Sequence, residues 1–147
     1  MRRNQDFHVE YCADRPGATV WDPLGFREPG CETFLTFWAW QDLPTRRIRR
    51  QAHHLTDAWN YLRAVDLQWR TARWIDWEEW ASTMMCHGTT LRRLTAQADT
   101  LYRFYAFWHW YDPQHLARQY WPSTPQARIR WLHQIWGADD SLDTELL

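Results

Sequence analysis

Two groups of side chains are best placed to do chemistry in this chain. The first is Arg46, Arg47, Arg49 and Arg50; the second is Thr89, Thr90, Arg92 and Arg93. A guanidinium stays charged at any ordinary pH, and its planar fork grips phosphate through paired hydrogen bonds. Threonine hydroxyls and arginines together supply many of the contacts that proteins make to nucleic-acid backbones. The chemistry on offer is therefore recognition of a polyanion. The sequence contains no Lys, so apart from protonated His every side-chain cation is an Arg. The formal net charge of −1 hides an uneven distribution. Residues 45–63 hold five Arg and one Asp, residues 88–103 three Arg and one Asp, and residues 137–147 three Asp and one Glu. A basic middle is followed by an acidic end, and distribution rather than bulk charge decides whether a polyanion can dock.

The remaining reactive residues are not spaced for catalysis or metal binding. Cys86 and His87 are neighbours in sequence, whereas a nucleophile and its base are normally brought together in space. His53 and His54 are adjacent, while paired helical ligands need a spacing of three or four. Glu78 and Glu79 suit the first turn of a helix, where the macrodipole favours carboxylates. The five Gly are dispersed and build no phosphate loop. No catalytic residue, metal site or cofactor is expected. Cys12, Cys31 and Cys86 are an odd, scattered set that does not form a disulfide framework, in keeping with a reducing compartment.

Helices must position the two arginine groups. Gly17, Gly25, Gly30, Pro16, Pro23 and Pro29 mark residues 1–30 as an irregular arm, with short extended pieces near Phe7–Tyr11 and Thr19–Trp21. A first helix is expected over residues 31–40, mostly buried because Phe34, Phe37, Trp38 and Trp40 surround it. A second starts with Thr45 as N-cap, and Ile48, Ala52, Leu55, Trp59 and Leu62 repeat at helical intervals. A third starts at Asp76, whose spacing to Glu79 resembles a capping box. A fourth starts near Thr89, with Leu91, Leu94, Ala98, Leu101, Tyr105 and Trp108 on one face. Asp112-Pro113 and Thr124-Pro125 each read as helix starts, with Gly137 as the final stop. Trp59, Trp80, Tyr105 and Trp108 are expected in the core. The arginines of the second and fourth helices fall largely outside the apolar stripes. The class is therefore all-α: five to six helices over residues 31–137, an irregular arm before them and an acidic flexible tail at 138–147.

The order of these features resembles a known family. Val20-Trp21-Asp22-Pro23-Leu24-Gly25 leads into a short aromatic helix. Leu43-Pro44-Thr45-Arg46-Arg47-Ile48 then opens a helix completed by Leu55-Thr56-Asp57-Ala58-Trp59-Asn60-Tyr61-Leu62. Ile75-Asp76-Trp77-Glu78-Glu79-Trp80 follows. Thr90-Leu91-Arg92-Arg93-Leu94-Thr95 runs into Leu101-Tyr102-Arg103-Phe104-Tyr105-Ala106-Phe107 and Tyr111-Asp112-Pro113. Residues 19–120 resemble the N-terminal core-binding domain of tyrosine recombinases, the phage integrase family. The resemblance implies a SAM-like helical bundle that clamps one face of a DNA duplex, with two helices at the major groove. The matching helices are those that begin at Thr45 and Thr89. The family continues into a catalytic domain with a Tyr nucleophile and an essential Lys, which these residues lack. His115 and Arg118 spell His-x-x-Arg but lie just past the bundle, and the match is read as chance.

The expectation is a cytoplasmic DNA-binding domain of recombinase type without catalysis, not an enzyme. It would be accessory or regulatory in recombination or integration of a mobile element. Its expected partners are double-stranded DNA and a full-length recombinase, or a second copy of itself through the C-terminal helix, and no membrane. The alternative is a helical protein–protein interaction module within a larger assembly.

Overall fold

The computed structural model describes the backbone of residues 6–114 and 116–145 and the side chains of 6–114 and 116–137. The chain is mostly helical, with five helices and one small sheet among the described residues. Its contacts divide it into two units, Met1–Trp69 and Arg70–Leu147.

In the first unit, the Gly- and Pro-rich start is not an irregular arm. It forms an antiparallel pair, β1 (His8–Tyr11) and β2 (Ala18–Trp21), in the register Val9 to Val20 and Tyr11 to Ala18. The extended pieces fall where expected. Gly17, at φ 95°, supplies the left-handed backbone that the connecting turn requires. Alternation in β2 buries Ala18 and Val20 while Thr19 and Trp21 are half-exposed, so the hairpin packs one face on the helices. Two helices follow, α1 (Pro29–Trp40) and α2 (Thr45–Ala64).

Helix α1 begins two residues earlier than expected because Pro29 takes its first position and Glu28 caps it. The Glu28 Oε2 accepts from the Cys31 N–H at 2.6 Å, and its Oε1 accepts from the Trp69 indole N–H at 3.1 Å. One buried carboxylate thus ties the start of a helix to an aromatic 41 positions away. Trp69 stacks on Trp59 with ring centres 6.3 Å apart, and the Trp69 ring lies so close to Gly30 that no Cβ would fit there.

The apolar stripe of α2 is buried as its spacing predicts: Ile48, Ala52, Leu55, Trp59 and Leu62 are each at most 2% exposed. Burying such side chains contributes about 1.5–3 kcal/mol each for the larger ones. That amply offsets an unfavourable N-terminus, described below.

The second unit consists of α3 (Trp74–Cys86), α4 (Leu91–Tyr111) and α5 (Pro125–Glu145), which pack on one another. Helix α3 starts at Trp74, two residues before Asp76. Asp76 is its third residue and accepts from the Arg73 N–H at 2.8 Å, so the carboxylate caps from inside the helix and is not the N-cap itself. The stripe of α4 holds from its second member onward: Leu94, Ala98, Leu101, Tyr105 and Trp108 are buried, while Leu91, the first residue of the helix, is half-exposed.

The expected helix after Asp112-Pro113 is absent from the described residues of 112–123. Asp112 instead ends α4, and the described residues up to Ser123 form neither helix nor strand. The Ala117 N–H donates to the Arg70 carbonyl at 2.9 Å, and the Gln119 side chain donates to the Ala72 carbonyl. This path delivers Trp121 into a cluster with Trp74, Trp77, Tyr105 and Trp131, where ring centres lie 5.0–6.3 Å apart.

Thr124 starts α5 as its spacing predicts, its hydroxyl accepting from the Ala127 N–H at 3.1 Å. The helix does not stop at Gly137. It continues through that glycine to Glu145, so most of the expected flexible tail is helical backbone. A glycine inside a helix costs about 1 kcal/mol relative to Ala, which is tolerable. Arg128 is 3% exposed and fixes α5 to α4: it meets Asp99 at 2.7 Å and the Pro122 carbonyl at 2.9 Å and stacks on Tyr102.

Candidate nucleic-acid interface

Proline 44 decides how α2 begins. Its φ of −57° and ψ of 141° make it the N-cap, so Thr45 is the first helical residue and not the cap. The Pro44 carbonyl accepts from the Arg47 and Ile48 N–H groups at 2.9 and 3.1 Å. A proline has no side-chain oxygen to offer the helix, and the first turn contains no acidic residue. The positive end of the helix dipole is therefore left without a neutralising group from its own sequence.

Around this end the four arginines divide. Arg46, Arg47 and Arg50 are exposed, and among the described residues none of the three has a hydrogen-bond or ion-pair partner. Spacings of three and four put Arg50 on the same side of the helix as Arg46 and Arg47. Arg49 is half-buried and turns the other way. Its Nε donates to the Gly17 carbonyl at 3.2 Å, its terminal nitrogen to the Cys12 carbonyl at 3.5 Å, and its guanidinium lies over the Tyr11 ring. Arg49 thus fastens the hairpin to α2 and is not presented with the other three.

In the second unit, Thr90 is the N-cap of α4 and its hydroxyl accepts from the Arg93 N–H at 3.2 Å. That oxygen serves the helix first. Thr89 is half-buried, and its N–H donates to the Met84 carbonyl at 2.9 Å, closing α3. Arg92 and Arg93 are exposed in a first turn that again contains no acidic residue.

Several other arginines serve the fold, although Arg130 of α5 is exposed as the cluster arginines are. Arg27 pairs with Glu32, Arg63 with Asp6, Arg73 with Asp76 and Arg103 with Asp99. Arg70 lies over Trp108 and Arg118 over Tyr120.

Beside the start of α2 lies an open cleft of about 240 Å³ whose walls include Arg15, Ala39, Asp42, Thr45 and Ile48. Sequence reasoning did not find Arg15, because thirty residues separate it from Thr45 and only the hairpin brings them together. Trp40 was expected to be buried with the rest of α1, but its ring is 70% exposed. It is the last residue of the helix, past the point where α1 faces the core.

Cys86 and His87 are both exposed at the end of α3. His53 bonds to the Tyr11 hydroxyl at 2.8 Å. Among the described residues no group of three His, Cys, Asp or Glu is arranged to hold a metal ion. His115 lies outside the described residues. Among the described residues no helix is long and apolar enough to cross a membrane. No family profile, no curated protein and no solved structure matches this chain.

Proposed function

We propose that these residues bind double-stranded DNA through the arginines at the start of α2 and of α4, without catalysis of their own. The observation that carries the reading is the exposure of Arg46, Arg47 and Arg50 at a helix end that is already positive, with no partner among the described residues. Each poorly placed cation there costs the helix about 0.3–1 kcal/mol, and like charges at a spacing of four add about 0.2–0.5 kcal/mol. The fold gains nothing visible in return, whereas a phosphate backbone would turn each of these costs into an attraction. Arg92 and Arg93, with Thr89 and Thr90, put a second set of exposed arginines at the start of another helix. Helices that enter the major groove often do so with their N-terminal residues foremost.

The finer reading is a domain of tyrosine-recombinase type, SAM-like in its bundle, acting as an accessory or regulator in recombination or integration. Two things support it: the order of motifs along residues 19–120, and five helices of which the two that match the DNA-facing ones carry the exposed arginines.

Titration of a labelled duplex at a series of salt concentrations tests the binding. The logarithm of affinity is expected to fall linearly with the logarithm of salt, by about 0.9 per phosphate contact. The triple variant Arg46→Ala, Arg47→Ala, Arg50→Ala should bind more weakly and with a shallower slope, and so should the pair Arg92→Ala, Arg93→Ala. Equal binding and equal slopes in all three proteins would remove the proposal.

A second reading has its own support. Trp110 is 70% and Tyr111 57% exposed at the end of α4, which suits a protein-interaction module. A tight oligomer whose mass does not respond to DNA would favour it.

A further inference from the structure

We propose that the cleft at the junction of α1 and α2 takes a single unpaired nucleotide, with its base on Trp40 and the neighbouring phosphates on Arg46 and Arg47. The proposal rests on the DNA-binding reading of the same surface and narrows it to DNA that is not fully paired.

Three observations within the first unit converge. The indole of Trp40 stands in solvent, although every other Trp of this unit is more buried. Arg15 holds its place beside that ring: its guanidinium donates to the Ala39 carbonyl at 3.2 Å and lies 5.8 Å from the centre of the indole. The cleft, about 240 Å³, opens next to this pair. It falls below the roughly 300–1,000 Å³ that encloses a free small ligand, and so suits one unit of a polymer held mainly from outside the cleft.

Charge selects the polymer. The carboxylate of Asp42 sits 3.7 Å from Arg15 and offsets much of its charge, so Arg15 alone would attract an anion poorly. Arg46, Arg47 and Arg50 have no such partner among the described residues and follow directly along α2. An exposed aromatic ring at the end of one helix, with exposed guanidinium groups at the start of the next, offers the two elements by which proteins hold unpaired nucleotides: the bases stack and the backbone is neutralised. Between its ends a blunt duplex has no base face to offer Trp40, since its bases are stacked on one another.

The test uses the whole chain and three labelled DNAs of one sequence, read by fluorescence anisotropy: a blunt duplex, the same duplex with one unpaired nucleotide, and a single strand. The wild type is expected to prefer the two DNAs with an unpaired base. Trp40→Ala should weaken those two by about 5- to 150-fold, the range that one base–aromatic stack spans. It should leave the blunt duplex unchanged, and Trp40→Phe should restore most of the loss. Because the ring is exposed, these variants should fold, which their thermal midpoints check. Arg46→Ala with Arg47→Ala should weaken all three DNAs. Equal wild-type affinity for blunt and interrupted duplexes, or a Trp40→Ala loss that is the same on every DNA, would overturn the proposal. If the blunt duplex still binds in an arginine-dependent way, the DNA reading stands without it; if none of the DNAs binds, both fall.

Discussion

The guanidinium of Arg49 lies 4.3 Å from the centre of the Tyr11 ring, in a chain position flanked by arginines that face water. Thirty-eight residues separate the two in sequence, and the hairpin that carries Tyr11 is what reaches Arg49. The same cluster therefore contains two kinds of arginine, one that holds the fold and three that do not.

Those two kinds should separate experimentally. Arg49→Ala removes charged donors from the Gly17 and Cys12 carbonyls and is expected to cost about 1–3 kcal/mol of stability, with little effect on the DNA affinity of the folded protein. Arg46→Gln should do the opposite. It relieves the helix end and stabilises by about 0.3–1 kcal/mol, while the salt slope of DNA binding shrinks by about 0.9. Urea denaturation and duplex titration of the two variants check this. An Arg49 variant of normal stability that no longer binds DNA would reverse the assignment.

Glu28 should be among the most sensitive positions of the first unit. Glu28→Ala deprives the Cys31 N–H of its cap and leaves the buried Trp69 indole N–H without an acceptor. The expected loss is about 2–4 kcal/mol, with a change in the near-ultraviolet circular dichroism as Trp69 and Trp59 shift. Glu28→Gln keeps an oxygen in place and should cost less. Comparable losses in both variants would show that the charge or the second acceptor oxygen, which Gln lacks, matters more than the shape that it keeps.

The three thiols should differ in reactivity. Cys86 is exposed, Cys12 half-buried and Cys31 fully buried. Burial pushes the Cys31 thiol well above its usual range, and the nearby Glu28 carboxylate pushes the same way. A thiol-specific reagent should label Cys86 first, Cys12 more slowly and Cys31 only on unfolding. The linkage has a definite sign. The unfolded thiol ionises near pH 8.5 and the folded one stays protonated, so this contribution is complete below about pH 8.5 and is lost as pH rises toward the folded value. Denaturation midpoints should therefore fall above about pH 8.5, and Cys31→Ala should flatten that fall. A slope unchanged by the substitution would place its origin elsewhere.

Periodicity by itself determined the buried faces of α2 and α4. Ile48 to Leu62 and Leu94 to Trp108 recur at the helical repeat, and a helix with that pattern has one stable way to hide it from water. The start at Thr124 and the free state of the cysteines were also legible, because a cap and a scattered set of thiols are local facts. Capping at the other helix ends was legible only to within a turn. Asp76 can serve as N-cap or from the third position, and the sequence spells the same spacing for both. Tertiary contact decided the rest. The described residues after Asp112 form no helix, and Trp121 packs instead among Trp74, Trp77 and Trp131. Arg49 parts from Arg46, Arg47 and Arg50 because two backbone carbonyls and a ring, all more than thirty residues away, lie on its side of the helix. No local pattern can encode partners at that distance, since they exist only once the hairpin has folded back onto α2.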